Sequence, residues 1–167
     1  MEFEKVLFNR RSKRKFIDKE VENEKIQKLL EAAMSAPSAH NKQPWEFVVI
    51  KDNNTMDKIM EFHEYSKMLK DAPLAIAVCG DKNAYKDFWV QDCSAATQNL
   101  LLMAEDLGLG ACWLGVYPVE KYYTELSDLL ELPENIIPLN VIAIGYPERE
   151  SRRRDRYKED KVHYEKY

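Results

Sequence analysis

Four short, nearly continuous apolar runs constrain this chain more than any other feature: residues 45–50, 74–79, 111–116 and 139–144. A strand with one wet face alternates apolar and polar residues, whereas a strand covered on both faces need not. The runs therefore predict a sheet buried between two layers of helices. Helical stripes lie between them. Phe3, Val6 and Leu7 mark a short helix ending before Arg10, and Ile26, Leu29, Leu30 and Ala33 recur at i, i+3, i+4 and i+7, predicting a helix over 23–34 that Pro37 stops. A weaker helical stretch covers 55–69, after the turn residues Asp52, Asn53 and Asn54. Cys93, Thr97, Leu100, Ala104 and Leu107 form one stripe over 88–107, with Gly108 where a left-handed C-terminal residue belongs. Leu126, Leu129 and Leu130 mark a last helix ending before Pro133. The expected fold is a three-layer αβα domain with four or five strands.

The chain has 167 residues, 45% of them apolar and 32% charged, which suits a single globular domain. Its 25 basic and 29 acidic side chains leave a net charge of −4, against the profile of a general nucleic-acid binder. The first sixteen residues are charged throughout, with no apolar core of a secretory signal. The longest apolar run, 72–80, is far short of the ~20 residues of a membrane-spanning helix. Cys79, Cys93 and Cys112 are widely spaced, lack a CxxC pair and sit in apolar stretches. They read as core packing in a reduced, cytoplasmic protein without a metal site.

Three segments stand out as chemistry. Arg10-Arg11-Ser12-Lys13-Arg14 follows a helix, and guanidinium forks with a hydroxyl at this density suit a phosphate; a solvated charge run is the alternative. Residues 36–45, Ala-Pro-Ser-Ala-His-Asn-Lys-Gln-Pro-Trp, hold two prolines that fix the backbone, while Ser38, Asn41 and Gln43 offer donors to a planar heterocycle. An ordinary connecting loop is the bland reading. Gly108, Gly110 and Gly115 flank the third apolar run and permit close approach of backbone to a ligand, but not in the GxGxxG pattern of a dinucleotide site. The tail over 145–167 lacks periodicity yet carries Tyr157, Val162, Tyr164 and Tyr167, which suits an arm docking on a second subunit. Its run Arg149, Arg152, Arg153, Arg154 and Arg156 reads as phosphate clamps, a solvated tail or an RNA-binding arm.

Taken in order, the motifs resemble those of the nitroreductase family of FMN-dependent oxidoreductases. Residues 10–16 resemble its opening RRSxRxF, residues 36–45 its APSxxNxQPW loop, residues 99–115 its NLLLxAxxLGLG…WxG segment, and Ile144-Gly-Tyr-Pro147 its closing strand. His40 stands where many members carry glycine. The resemblance implies an α+β, three-layer αβα fold around a central mixed sheet of four to five strands, as one domain over 1–167. Residues 146–167 would be an arm exchanged with the partner subunit. It also implies a homodimer with tightly bound FMN at the interface, NAD(P)H as hydride donor and a small-molecule electron acceptor, with neither nucleic acid nor membrane as partner. Arg10, Arg11, Ser12, Arg154 and Arg156 would hold the phosphate and ribityl chain, and Arg14 would lie near the pyrimidine end of the flavin. Pro37, Ser38, Ala39 and Asn41 would approach from the other subunit. Trp113, Leu114 and Gly115 would line the ring with backbone N–H groups. No side chain is expected to act as acid or base. The activity implied is reduction of nitroaromatic, quinone or related acceptors by a ping-pong mechanism, and FMN binding without turnover is the alternative.

Overall fold

The computed structural model describes residues 2–150, 153 and 155–167. Its helices are α1 (Phe3–Asn9), α2 (Asn23–Met34), α3 (Asn53–Phe62), α4 (Trp89–Asp106) and α5 (Glu120–Leu129). Its strands are β1 (Trp45–Ile50), β2 (Leu74–Asp81), β3 (Gly110–Gly115) and β4 (Ile136–Gly145). The sheet order is β1-β2-β4-β3, and every pair of strands is antiparallel. Four strands thus meet the lower of the expected counts. The expected parallel component enters only at an isolated bridge between Ser12 and Ala111.

Both faces of the sheet are covered, as the apolar runs require. Leu74, Ile76 and Val78 of β2 join Ile142 and Ile144 of β4 in a core with Leu29 of α2 and Leu100 of α4. The alternate residues Ala75, Ala77, Cys79, Val141 and Ala143 face Met56 and Ile59 of α3 and Leu126 of α5. Large side chains on one face and alanines on the other let the helices on the second face sit close. Glycine serves the same end at Gly80, where a Cβ would stand 2.3 Å from Cε3 of Trp89. Filling that contact costs on the order of 1–3 kcal/mol.

Three element boundaries depart from the periodicity. The stretch over 55–69 is two elements, α3 and a 3-10 turn over Lys67–Lys70, broken at His63, whose φ of −102° and ψ of 101° end the helix. Strand β4 begins at Ile136, three residues early, and takes in Pro138, which has no N–H to give a ladder, where the β2–β4 register shifts between Val78 and Cys79. Helix α5 begins at Glu120, six residues ahead of Leu126, its sole buried side chain.

The three thiols are free and buried. Burial pushes those of Cys79 and Cys93 up to about 12. Near them a short polar chain crosses the α4–β4 contact: Asn140 Nδ2 donates to Thr97 Oγ1 at 2.9 Å, and that hydroxyl donates to the Cys93 carbonyl at 2.8 Å. The C-terminal segment stays tied to the body through a Phe16–Pro147 bridge and the Glu148 N–H, which donates to Lys15 O. Beyond that point Tyr157 and Tyr164 are 73% and 81% exposed. No helix among the described residues is long and apolar enough to cross a membrane.

Candidate functional site

Chain order leaves β3 at one edge of the sheet, and the first basic segment runs along it. Helix α1 ends at Arg10, Ser12 bridges Ala111, and the Lys13 N–H donates to Ala111 O at 3.0 Å. Val116 N–H donates to Leu139 O. In an antiparallel ladder, hydrogen-bonded and non-hydrogen-bonded pairs alternate, so Gly115, Trp113 and Ala111 turn their N–H and C=O groups away from β4. The outer edge of β3 is therefore a row of backbone polar groups beside a row of cations. Cys112 senses both rows. Burial pushes its thiol up, while the charges of Arg14 and Arg10 and a hydrogen bond from Ser12 pull it back.

Two cavities gather the basic side chains. One, of 810 Å³, brings Arg14 together with Trp113, Leu114 and Gly115. Its other wall is His63, Tyr65, Lys67 and Tyr122, from the end of α3, the turn that follows and α5. The second, of 430 Å³, gathers Arg10, Arg11, Arg153 and Arg156 beside Phe8 and Tyr157. Arg153 lies 4.2 Å above the Phe8 ring and 4.0 Å from Glu4, so the tail folds back onto α1. Arg154, expected among the phosphate ligands, lies outside the described residues. Arg156 and Arg153, both in the tail run read as candidate clamps, line the same cavity as Arg10. Arg11 Nη1 donates to the Phe8 and Arg10 carbonyls at 3.0 and 2.7 Å, which pins the guanidinium to the end of α1.

The loop with Pro37, Ser38, Ala39 and Asn41 lies elsewhere. It leads into β1 at the opposite edge of the sheet, three strand spacings or roughly 14 Å from β3. His40, Asn41 and Gln43 all have positive φ, of 50°, 53° and 47°. Side chains other than glycine adopt this region at a cost of about 1–2 kcal/mol each, with asparagine the most tolerant. Glycine at position 40 would carry no such cost. The strained loop is held from three sides. The Ala39 N–H donates to Oδ1 of Asp92 on α4 at 3.1 Å, the Gln43 N–H to Ser38 Oγ at 2.9 Å, and Gln43 Nε2 to Asn41 Oδ1 at 2.9 Å. Asp92 is 6% exposed. One chain thus brings Arg14, Trp113, Leu114 and Gly115 into one cavity and Arg10, Arg11 and Arg156 into another, and it leads the 37–41 loop into the opposite edge strand.

Sequence reasoning missed His63, Lys67 and Tyr122 in the larger cavity and Asp92 beneath the loop. Each is a single residue without a partner at a fixed spacing. Only the packing of α3 and its turn on α5, and of α4 under the loop, brings them to the site.

The Nitroreductase family model matches residues 7–63 and 63–146. The chain belongs to that family. It is 49% identical over 160 residues to a provisionally named NADH dehydrogenase/NAD(P)H nitroreductase of Methanothermobacter thermautotrophicus, spanning 95% of this chain and 84% of the relative. An FMN-dependent nitroreductase from Clostridium difficile superposes with a TM-score of 0.91 at 33% identity, covering 97% of this chain and 98% of the other. A provisionally named nitroreductase from Desulfovibrio desulfuricans, solved in complex with FMN, gives 0.85 at 30% identity, covering 100% and 98%.

Proposed function

We propose that this member of the nitroreductase family, an FMN-dependent NAD(P)H oxidoreductase, reduces nitroaromatic, quinone or related acceptors in a ping-pong cycle, with FMN held between two copies of the chain. The observation that carries this reading is a pair of arginine-bearing cavities, one lined by Arg10, Arg11, Arg153 and Arg156 with Asp155 and the other by Arg14 and the β3 residues Trp113, Leu114 and Gly115. A phosphate dianion is best met by guanidinium forks. A planar ring with polar edges is best met by a cation, backbone donors and apolar walls. Together these two donor sets would suit the two parts of FMN.

In this reading Arg10, Ser12 and Arg156, with Arg11 and Arg154, hold the phosphate and ribityl chain. Arg14 sits by the pyrimidine end, where its fixed charge favours the reduced, more negative ring. Trp113, Leu114 and Gly115 flank the ring with strand backbone. When bound, FMN supplies the hydride chemistry, and the protein supplies position and field. Pro37, Ser38, Ala39 and Asn41 serve the flavin of the partner copy, which accounts for a strained, braced loop so far from the cations of its own chain. Residues 146–167 form the arm that embraces the partner, with Tyr157 and Tyr164 as aromatic anchors.

The test is an absorption spectrum of the purified protein over roughly 350–500 nm, where an oxidised flavin absorbs, followed by anaerobic bleaching with NADH or NADPH. Re-oxidation by a nitroaromatic or a quinone, with parallel initial-rate plots, is the expected outcome. A bound flavin that never bleaches assigns the chain to flavin binding without turnover, and a protein that binds no flavin removes the reading altogether.

A further inference from the structure

His63 is the one buried histidine at this edge, with 2% of its surface exposed. Its Nε2 lies 2.8 Å from the carbonyl oxygen of Gly115. A carbonyl can only accept, so Nε2 carries the proton and donates it. Nδ1 is buried and has no hydrogen-bond partner. The ring stacks on Tyr122 at a centroid distance of 4.4 Å, while the backbone of His63 is held separately: its main-chain N–H donates to Ile59 O, and its main-chain carbonyl accepts from the Ser66 hydroxyl and N–H. A histidine held this firmly for one hydrogen bond has a task at the far end of that bond.

That far end is the last residue of β3. Gly115 faces outward from the edge strand, and the next peptide N–H, at Val116, is taken by Leu139 O. The Gly115–Val116 peptide is therefore gripped at both ends, its C=O by His63 and its N–H by β4. A planar peptide held twice cannot rotate. Gly115 lacks a side chain to fix its own dihedrals, and nothing would crowd a Cβ there, so its orientation depends on these bonds.

We infer that His63 is a positioning residue: by donating Nε2–H to the Gly115 carbonyl it locks the end of β3 so that the outward Gly115 N–H stays aimed into the cavity shared with Arg14. The inference rests on the flavin reading for what lies in that cavity, and on the His63–Gly115 contact for the mechanism. His63 touches neither flavin nor substrate in this role.

The experiment compares full-length wild type with His63→Leu, which keeps bulk and removes the donor, and His63→Gln, which keeps a donor within reach. Titration with FMN should show the dissociation constant rising about three- to tenfold in His63→Leu, the scale of one net hydrogen bond, and staying within about twofold of wild type in His63→Gln. The Gly115 amide resonance should broaden or move in the first variant and return in the second. Long-range nitrogen correlations on the wild type should report a proton on Nε2. A folded His63→Leu with wild-type affinity, or equal loss in both variants, overturns the positioning role. An Nδ1–H tautomer overturns it even if neither variant folds. A wild type that binds no FMN sinks the flavin reading and this role with it, while the tautomer still reports on the contact itself.

Discussion

The two edges of the sheet solve opposite problems. The β3 edge carries cations, Arg10, Arg11, Arg14 and Arg156, around backbone groups that point outward. The β1 edge carries no such concentration, but a loop whose three left-handed residues are braced by Asp92 and Ser38. One edge is rich in charge and regular in backbone. The other is poor in charge and costly in backbone. On the proposed reading the contrast teaches why one edge would need the other: charge without a fitted loop binds anions loosely, and a fitted loop without charge has nothing to hold a phosphate.

The largest expected effect comes from removing the arm proposed to join the edges of two copies. Truncation after Glu148 keeps the Phe16–Pro147 bridge but deletes the arm, and dimer and bound FMN should both be lost, as read by light scattering and absorbance. A truncated chain that remains a yellow dimer would show that the arm does not join the edges. Next is Arg10→Ala, which deprives a phosphate of a charged hydrogen bond worth ~1.5–3 kcal/mol, so FMN affinity should drop roughly ten- to a hundredfold.

Arg14→Ala tests whether the β3 edge is divided between binding and redox tuning. The flavin midpoint potential should become more negative by some tens of millivolts, with ~30 mV equivalent to 1.4 kcal/mol for two electrons, and by more than in Arg10→Ala. Equal potentials in Arg14→Ala and wild type, measured by spectroelectrochemistry on FMN-saturated protein, would leave that arginine without a redox role. On the β1 side, Asp92→Ala frees the Ala39 N–H, and loosening the strained loop should weaken FMN binding by about three- to tenfold. The smallest effect is the sharpest. In a mixed dimer of Arg10→Ala and Asn41→Ala chains, sites shared between copies would leave one site intact and one doubly damaged. Half the flavin should then bind with wild-type affinity, whereas sites confined to single chains would leave none.

Much of this fold was legible because its strands are buried on both faces and its helices are amphipathic. Helix α2 runs over the residues its Ile26–Leu29–Ala33 stripe predicts, and β1 ends before the Asp52 turn, whose carboxylate accepts from the Thr55 N–H. Legibility failed where tertiary contacts override local pattern. The break at His63 and the early start of β4 around Pro138 go with packing and with a register shift, which a single sequence does not display. The site divides likewise. The arginines and the proline-bounded loop announce themselves by density, but His63, Lys67 and Asp92 act alone and gain meaning only from what they touch.

The burial of the three thiols has a practical consequence. Thiolate is the reactive form of cysteine, and Cys79 and Cys93, pushed up to about 12, hold almost none at neutral pH. Cys112 is buried too and also pushed upward. Alkylating probes should pass over the folded native chain, so a cysteine introduced at exposed Tyr164 would be its lone labelling handle. A paired spin label at that position, read by pulsed dipolar spectroscopy, turns the path of the two arms into a measured distance without stripping the protein of its native residues.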